Sequence, residues 1–161
     1  MDPLADCCCS GFDVQPGLFG HVLVVGIKTM NACASLPRSA VVLLAHGSRD
    51  AHWSAPIEAV ARHARALDPQ ATVRTAYLEH TAPDLGTCVD DLCVQGYTDI
   101  HVLPMFLGLG GHVRQDLPRL NEALLAAHPG LRLHWQSAVG EQAPVTELLA
   151  RLALQGPSHK T

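Results

Sequence analysis

The sequence predicts an α/β fold built on a four-stranded parallel sheet. Short β-rich runs alternate with longer helical runs over residues 40–154, which is typical of βαβ units joined by right-handed crossovers. The chain has 161 residues, enough to bury one core, and 48% of them are hydrophobic. Because only 4% are aromatic, aliphatic side chains must form most of that core.

Strands and helices are expected to alternate strictly. Strands are predicted at residues 40–45, 72–78, 99–104 and 131–135, and helices at 53–67, 83–95, 113–127 and 144–154. The first strand is an unbroken apolar run, which indicates burial on both faces.

Proline and glycine mark the predicted helix boundaries. The first three helices should stop at Asp68-Pro69, Gly96 and Pro129-Gly130, since neither residue type favours continuation of a helix. Pro83 lies near the start of the second helix. Pro144 stands in the first turn of the last helix, where its missing amide costs nothing.

Residues 1–38 differ from the rest in composition, and we assign this N-terminal extension no function. An apolar run at 18–27 is shorter than the roughly 20 residues that a membrane helix needs, and no Lys or Arg precedes it as in a secretory signal. Either translation begins at Met30, or residues 22–27 form an extra strand. The folded domain is predicted at 39–156, followed by a tail at 157–161.

Charge and cysteine content restrict the partners. The net charge of −4 argues against a nucleic-acid binder, and we expect no membrane partner. The six cysteines form no C-x-x-C pair, which favours reduced thiols in a cytoplasmic protein. Cys88 and Cys93 lie five apart on a predicted helix, so they should be small packing residues rather than a disulfide.

Polar residues follow three of the predicted strands. His46 comes after the first strand, Glu79 after the second, and a glycine-rich loop ending in His112 after the third. Parallel strands end at one edge of the sheet, where open α/β sheets bind ligands. The sequence therefore predicts a site that combines two imidazoles, a carboxylate and a loop backbone.

Two segments of this edge allow more than one interpretation. His46-Gly47-Ser48-Arg49-Asp50 is a turn that caps the next helix or an anion site to which Arg49 adds donors, and the two interpretations are compatible. The glycines at 108–111 would let the backbone approach a large flat ligand, or would form an ordinary flexible lid. They lack the Lys-Ser/Thr of a P-loop, so a nucleotide site is the weaker alternative.

Glu79 would complete a metal site of two nitrogens and one oxygen. Such a ligand set suits Co²⁺, Ni²⁺, Fe²⁺ or Zn²⁺, and its open positions fit a metal in transit rather than a structural ion. The alternative for Glu79 is a solvated loop carboxylate. We expect six other histidines to be surface or capping residues: His52, His63, His101, His128, His134 and His159.

Four motifs in fixed order resemble one family. They are His46-Gly47-Ser48-Arg49-Asp50, Tyr77-Leu78-Glu79 with Pro83, Leu103-Pro104-Met105-Phe106-Leu107, and Gly110-Gly111-His112 with Asp116-Leu117-Pro118. Over about residues 40–154 this set resembles the small single-domain sirohydrochlorin chelatases, which are class II chelatases of the cobalamin and sirohaem pathways.

The resemblance implies a single lobe of the three-layer, flavodoxin-like chelatase fold. It implies insertion of Co²⁺, Fe²⁺ or Ni²⁺, with Co²⁺ favoured, into sirohydrochlorin without ATP or an organic cofactor. His46 would be the proton-accepting metal ligand, His112 the second metal ligand and Glu79 the assisting acid. The segment against the macrocycle would be Leu107, Gly108, Leu109, Gly110 and Gly111.

Substrate anchoring and assembly follow from the same resemblance. Arg49, Arg114 and Arg119 are candidate anchors for the carboxylates of the substrate by their position. Ala82 stands where the family commonly has an acid, so one peripheral contact is expected to be lost or made differently. A second copy would supply the second lobe of a larger chelatase, which predicts a homodimer. A tetrapyrrole or metal carrier, or a nucleotide- or phosphoester-binding domain, are the alternative functions.

Overall fold

Four parallel strands form the centre of the protein, as expected. The computed structural model describes residues 37–50 and 52–155. The strands are β1 Arg38–Ala45, β2 Thr72–Tyr77, β3 Tyr97–Pro104 and β4 Arg132–Trp135, and they lie in the order β2-β1-β3-β4. All three pairings are parallel, so β1 and β3 occupy the middle of the sheet.

Each strand is followed by a helix. The helices are α1 Ala55–Leu67, α2 Leu85–Val94, α3 Gly111–Ala127 and α4 Ala143–Leu154, with a short 3-10 turn at Val139–Glu141 before the last. Every predicted strand and helix is therefore present, with ends that differ by a few residues. The 3-10 turn was not predicted from the sequence.

The two faces of β1 explain its unbroken apolar run. Val42 and Leu44 point into a large cluster with α2 and α3, whereas Leu43 packs on the other face against Ala61 of α1. Alternate residues of a strand point to opposite faces, so burying both faces requires apolar residues at every position. With α1 on one face of the sheet and α2 and α3 on the other, these helices form the outer layers of a three-layer α/β fold.

The start of α2 is set by a side-chain cap. Asp84 Oδ1 accepts a 2.8 Å hydrogen bond from the Thr87 amide, so that the helix begins at Leu85 rather than near Pro83. An N-cap of this type satisfies one of the free amides of the first turn. Hydrogen bonds from Thr87 also hold the pKa of the Asp84 carboxyl below its usual value.

The two cysteines of α2 are free thiols, as predicted. Cys88 lies in the core and Cys93 packs against it. Burial raises the pKa of Cys88 to about 11, so its thiol is protonated and inert at neutral pH.

Several expectations fall outside the described residues. The Met30 start, the alternative strand at 22–27 and nearly all of the extension 1–38 lie there, as does the tail 157–161. Within the described ranges, no helix is both long and apolar enough to cross a membrane.

Candidate functional site

Main-chain hydrogen bonds continue beyond the ends of the central strands. The Leu78 amide donates to the Ala45 carbonyl at 2.9 Å, and the Glu79 amide donates to the His46 carbonyl at 2.9 Å. On the other side, the Met105 amide donates to the Leu44 carbonyl at 2.8 Å. The segments that follow β1, β2 and β3 are therefore held side by side at one edge of the sheet.

Gly47 permits this close approach of the first two loops. Its φ is +89°, and a Cβ built on it would lie 1.8 Å from the Glu79 carbonyl oxygen. A side chain at this position is excluded both by the backbone angle and by the neighbouring chain. The contact is extended by Thr81 Oγ1, which accepts from the Ser48 amide at 3.0 Å and donates to the Ser48 carbonyl at 2.9 Å.

The pentapeptide after β1 forms a turn and does not cap α1. The Asp50 amide donates to Ser48 Oγ at 3.1 Å, and the His52 amide donates to Asp50 Oδ1 at 2.9 Å. The N-cap of α1 is Ser54, whose side chain makes no capping hydrogen bond. The expected turn is therefore present, whereas the cap that it was expected to supply to α1 is not formed.

A cavity of about 600 Å³ lies at this edge and brings the predicted residues together. All three predicted residues line it: His46 from the loop after β1, Glu79 from the loop after β2 and His112 from α3. The remaining lining residues are Leu78, Val113, Asp116, Arg119, Leu120 and Ala123.

One face of α3 forms a wall of the cavity. His112, Asp116 and Leu120 follow one another at intervals of four residues, which places them on the same side of the helix. Because α3 begins at Gly111, His112 belongs to its first turn rather than to the loop. Asp116 was not among the predicted site residues, although its spacing from a helical His112 would have placed it beside that imidazole.

The three predicted ligands line one cavity, but their ligand atoms do not converge on a single point. Among the described residues, His46, Glu79 and His112 are not a group whose ligand atoms lie within 4.8 Å of one another. A Glu79 oxygen lies 3.5 Å from Nε2 of His80 instead, and the His46 ring packs against Phe106 with 4.5 Å between centroids. This open arrangement leaves room for a ligand between the side chains.

The glycine loop, residues 107–111, packs against Gly140 at its start and has no close neighbour at its later glycines in the described residues. A Cβ on Gly140 would lie 2.0 Å from the Leu107 carbonyl oxygen, and the Gly140 amide donates to the Phe106 carbonyl at 3.0 Å. In contrast, a Cβ on Gly108, Gly110 or Gly111 would meet no atom of the described residues within 4 Å. Packing within the part of the chain that the structure describes therefore does not explain these three glycines.

The three candidate arginine anchors differ in position. Arg119 lines the cavity that contains His46, whereas Arg114 lines a second cavity of about 320 Å³, together with Leu109 and Trp135. Arg49 is exposed and lines neither of these two cavities. Since α3 contributes to both cavities, its two sides present one guanidinium to each.

Two of the histidines that we expected to be surface or capping residues form a partly exposed cluster with one carboxylate. His101 on β3 and His134 on β4 are paired in register, and both face Asp99. The signal in the sequence was the spacing of Asp99 and His101, which have one residue between them on the same strand. This spacing indicates a cluster only when the residue opposite on the neighbouring strand is known. That register was not predicted.

Comparison with protein families gives one match over most of the chain. The sequence model of the family described as CbiX matches residues 40–155. A curated relative from Methanosarcina barkeri, named sirohydrochlorin cobaltochelatase, is 26% identical over 80 residues, which cover 50% of this chain and 62% of the relative. Another of that name from Methanopyrus kandleri is 31% identical over 81 residues, covering 50% and 57%. These alignments span only about three fifths of each relative's length.

Solved structures give the same fold. A CbiX protein from Marinobacter aquaeolei VT8 superposes with a TM-score of 0.64 at 32% identity, covering 73% of this chain and 95% of that one. SirB from Bacillus subtilis, solved with Fe³⁺, has a TM-score of 0.62 at 22% identity. That match covers 74% of this chain but only 48% of SirB. At this identity and coverage it shows a shared fold and nothing more.

Proposed function

Since residues 40–155 place this chain in the CbiX family, we propose that it inserts a divalent metal ion into sirohydrochlorin. The observation that carries the proposal is the cavity at the sheet edge, which His46, Glu79 and His112 all line. Relatives named sirohydrochlorin cobaltochelatase supply the substrate class.

The chemistry of insertion explains why such residues are useful. The metal ion enters the ring as M²⁺, forms bonds to the ring nitrogens, and displaces two protons from pyrrole N–H groups. A catalyst must therefore accept protons near neutral pH and hold the metal loosely enough to release it. Neutral imidazole does both, because its ordinary pKa lies at about 6.5 and its nitrogen ligates transition metals.

We assign the roles within the cavity from the resemblance to the sirohydrochlorin chelatases, with the shared cavity as support. His46 accepts a pyrrole proton and binds the incoming metal, and His112 on α3 is the second metal ligand. Glu79 accepts the second proton or stabilises the imidazolium that forms on His46. These side chains are exposed and their ligand atoms do not converge on one point. Such an arrangement suits a metal ion that binds briefly better than one that stays bound.

Substrate binding is assigned to the surroundings of the cavity. Sirohydrochlorin carries many carboxylates, and Arg119 is placed to bind one of them within the cavity that contains His46. Arg114 and Arg49 are more distant anchors. We propose that the backbone at Leu107, Gly108, Leu109, Gly110 and Gly111 lies against the macrocycle, since a Cβ at three of these positions would project into open space.

The metal and the assembly are further parts of the proposal. Co²⁺ is the favoured substrate, because the relatives are named cobaltochelatases, and Fe²⁺ and Ni²⁺ are the alternatives. We propose a cytoplasmic homodimer without ATP or an organic cofactor. The free thiols of α2 agree with a reducing compartment, and the match to SirB from Bacillus subtilis covers only about half of that chain. An active monomer in sedimentation would contradict the dimer.

An absorbance assay tests the activity directly. Purified protein is mixed with sirohydrochlorin and Co²⁺, Fe²⁺ or Ni²⁺, and the change of the tetrapyrrole spectrum is followed against metal alone. We expect a faster change with protein at catalytic concentration, with turnover beyond one equivalent. No acceleration would contradict the proposal, and tight binding of sirohydrochlorin without turnover would support the carrier alternative.

A further inference from the structure

Asp99, His101 and His134 form a compact cluster away from the cavity. Asp99 Oδ1 lies 3.0 Å from Nε2 of His134 and 3.3 Å from Nε2 of His101. The two imidazoles are stacked, with 4.7 Å between centroids and 17° between planes. None of the three lines the cavity that contains His46.

The sheet places these side chains on one face. In β3, Asp99 and His101 alternate with the buried Ile100 and Val102, so they point to the opposite face of the strand. The pairing of His101 with His134 then brings both rings to the same side of β3 and β4. Regular strands rather than a flexible loop therefore hold the cluster.

The distances fit ligands around one metal ion. Two atoms bound at about 2.0–2.2 Å, at angles between square and tetrahedral, lie roughly 2.8–3.6 Å apart. Both separations from Asp99 Oδ1 fall in this range. Among the residues that the structure describes, this is the group of at least three His, Cys, Asp or Glu side chains whose ligand atoms all lie within 4.8 Å of one another.

The carboxylate oxygen at the centre of the cluster lacks a hydrogen bond. Asp99 Oδ1 is buried and has no hydrogen-bond partner in the described part of the chain, despite its closeness to two imidazole nitrogens. By contrast, Nε2 of His128 forms a regular 2.7 Å hydrogen bond with Asp90 Oδ1. The two imidazole nitrogens lie close to Asp99 Oδ1 without meeting hydrogen-bond geometry. A cation bound between the three side chains would satisfy this buried oxygen.

Arg132 fixes the carboxylate for this role. Its Nε and NH2 donate to Asp99 Oδ2 at 3.1 and 2.8 Å, which leaves Oδ1 free to face the imidazoles. The same hydrogen bonds, first among several causes, hold the pKa of Asp99 below its ordinary value, so the carboxylate is ionised at neutral pH. Outer partners of this kind commonly orient metal-binding carboxylates.

We propose that Asp99, His101 and His134 form a second binding site for a borderline divalent transition-metal ion such as Co²⁺, Ni²⁺ or Zn²⁺. Two imidazole nitrogens and one carboxylate oxygen are ligands that these ions accept, and solvent can fill the remaining positions. Half of the His134 side chain is exposed, so an ion can enter without unfolding the strands. The site is independent of the proposed insertion activity.

Equilibrium dialysis with Co²⁺ alone tests this site on the full-length chain. The reference protein carries His46→Ala and His112→Ala to remove the candidate ligands at the sheet edge. It also carries serine at Cys7, Cys8, Cys9 and Cys33, and the lack of a thiolate-to-cobalt absorption band would verify that no thiol binds the ion. We expect this protein to bind one equivalent of Co²⁺ and to become more resistant to thermal unfolding as Co²⁺ is added.

Single substitutions in that reference protein identify the ligands. His101→Ala and His134→Ala should each weaken Co²⁺ binding at least tenfold and abolish the thermal shift. His128→Ala is the matched control, because His128 contacts a single carboxylate through an ordinary hydrogen bond. Should His101→Ala fail to fold, the half-exposed His134 still provides the test. Binding that is equal in the His134→Ala and His128→Ala proteins, or no bound Co²⁺ in the reference protein, would overturn the proposal.

Discussion

The main-chain amide of Glu79 donates a 2.9 Å hydrogen bond to the carbonyl of His46. This bond joins the residues that follow β1 and β2, so the imidazole and the carboxylate enter the cavity from adjacent backbone positions. The relationship depends on the main chain, and substitutions of either side chain should leave it in place. Activity and folding can therefore be separated at this site.

Gly47 is required for folding of the site rather than for chemistry. We expect Gly47→Ala to lower the free energy of unfolding by about 2 kcal/mol or more, because its positive φ is strained for alanine and its Cβ meets the Glu79 carbonyl. Urea denaturation followed by circular dichroism measures this change. Unaltered stability would mean that the two loops are not packed as described.

Gly111 should behave in the opposite way. It begins α3, and its Cβ would project into open space, so Gly111→Ala should keep or raise stability by less than about 1 kcal/mol. If the macrocycle lies against this backbone, the same substitution raises the KM for sirohydrochlorin several-fold. Parallel denaturation and insertion assays check both effects, and an unchanged KM would remove Gly111 from the binding surface.

Arg119 should act on substrate binding. Arg119→Ala is expected to raise the KM for sirohydrochlorin about tenfold, because a guanidinium–carboxylate contact contributes on the order of 1.5 kcal/mol or more. Arg62→Ala on α1 is the matched control, since Arg62 is exposed and does not line the cavity. Equal KM values for the two variants would count against Arg119 as an anchor.

The cap at Asp84 predicts a pH-dependent stability. Asp84→Ala should cost about 1 kcal/mol at pH 7. The folded-state pKa of Asp84 is depressed, so the contribution of its charge is present above the unfolded value near 4 and disappears as pH falls through the folded pKa. Asp84→Asn keeps an acceptor for the Thr87 amide, so its loss at pH 7 should be smaller, and that loss should shrink further at low pH as the carboxyl of the unmodified protein is protonated. Denaturation midpoints at pH 7 and pH 3 distinguish the variants.

The strands and helices were predictable because their signals are local. The apolar run of β1 and the glycine or proline stops follow directly from burial and backbone preference. The end-of-strand positions of His46 and Glu79 were sufficient to place them in one cavity. In contrast, Asp116 depended on whether His112 is helical, and the Asp99 cluster depended on the register of β3 against β4. A shift of one or two residues in the start of α3 would separate Asp116 from His112, and a similar shift in the register of β3 against β4 would separate His101 from His134. Sequence periodicity does not define helix starts or strand registers that closely.

The insertion rate of His46→Ala tests the central claim most directly. His46 is exposed, so this variant should unfold at the same denaturant concentration as the unmodified protein and should still bind sirohydrochlorin. If His46 is the base and metal ligand that we propose, the insertion rate with Co²⁺ should fall by about 10² to 10⁴-fold. His63→Ala on α1, which is exposed and does not line the cavity, should insert metal at the normal rate. A folded His46→Ala protein with an unreduced insertion rate would contradict the account.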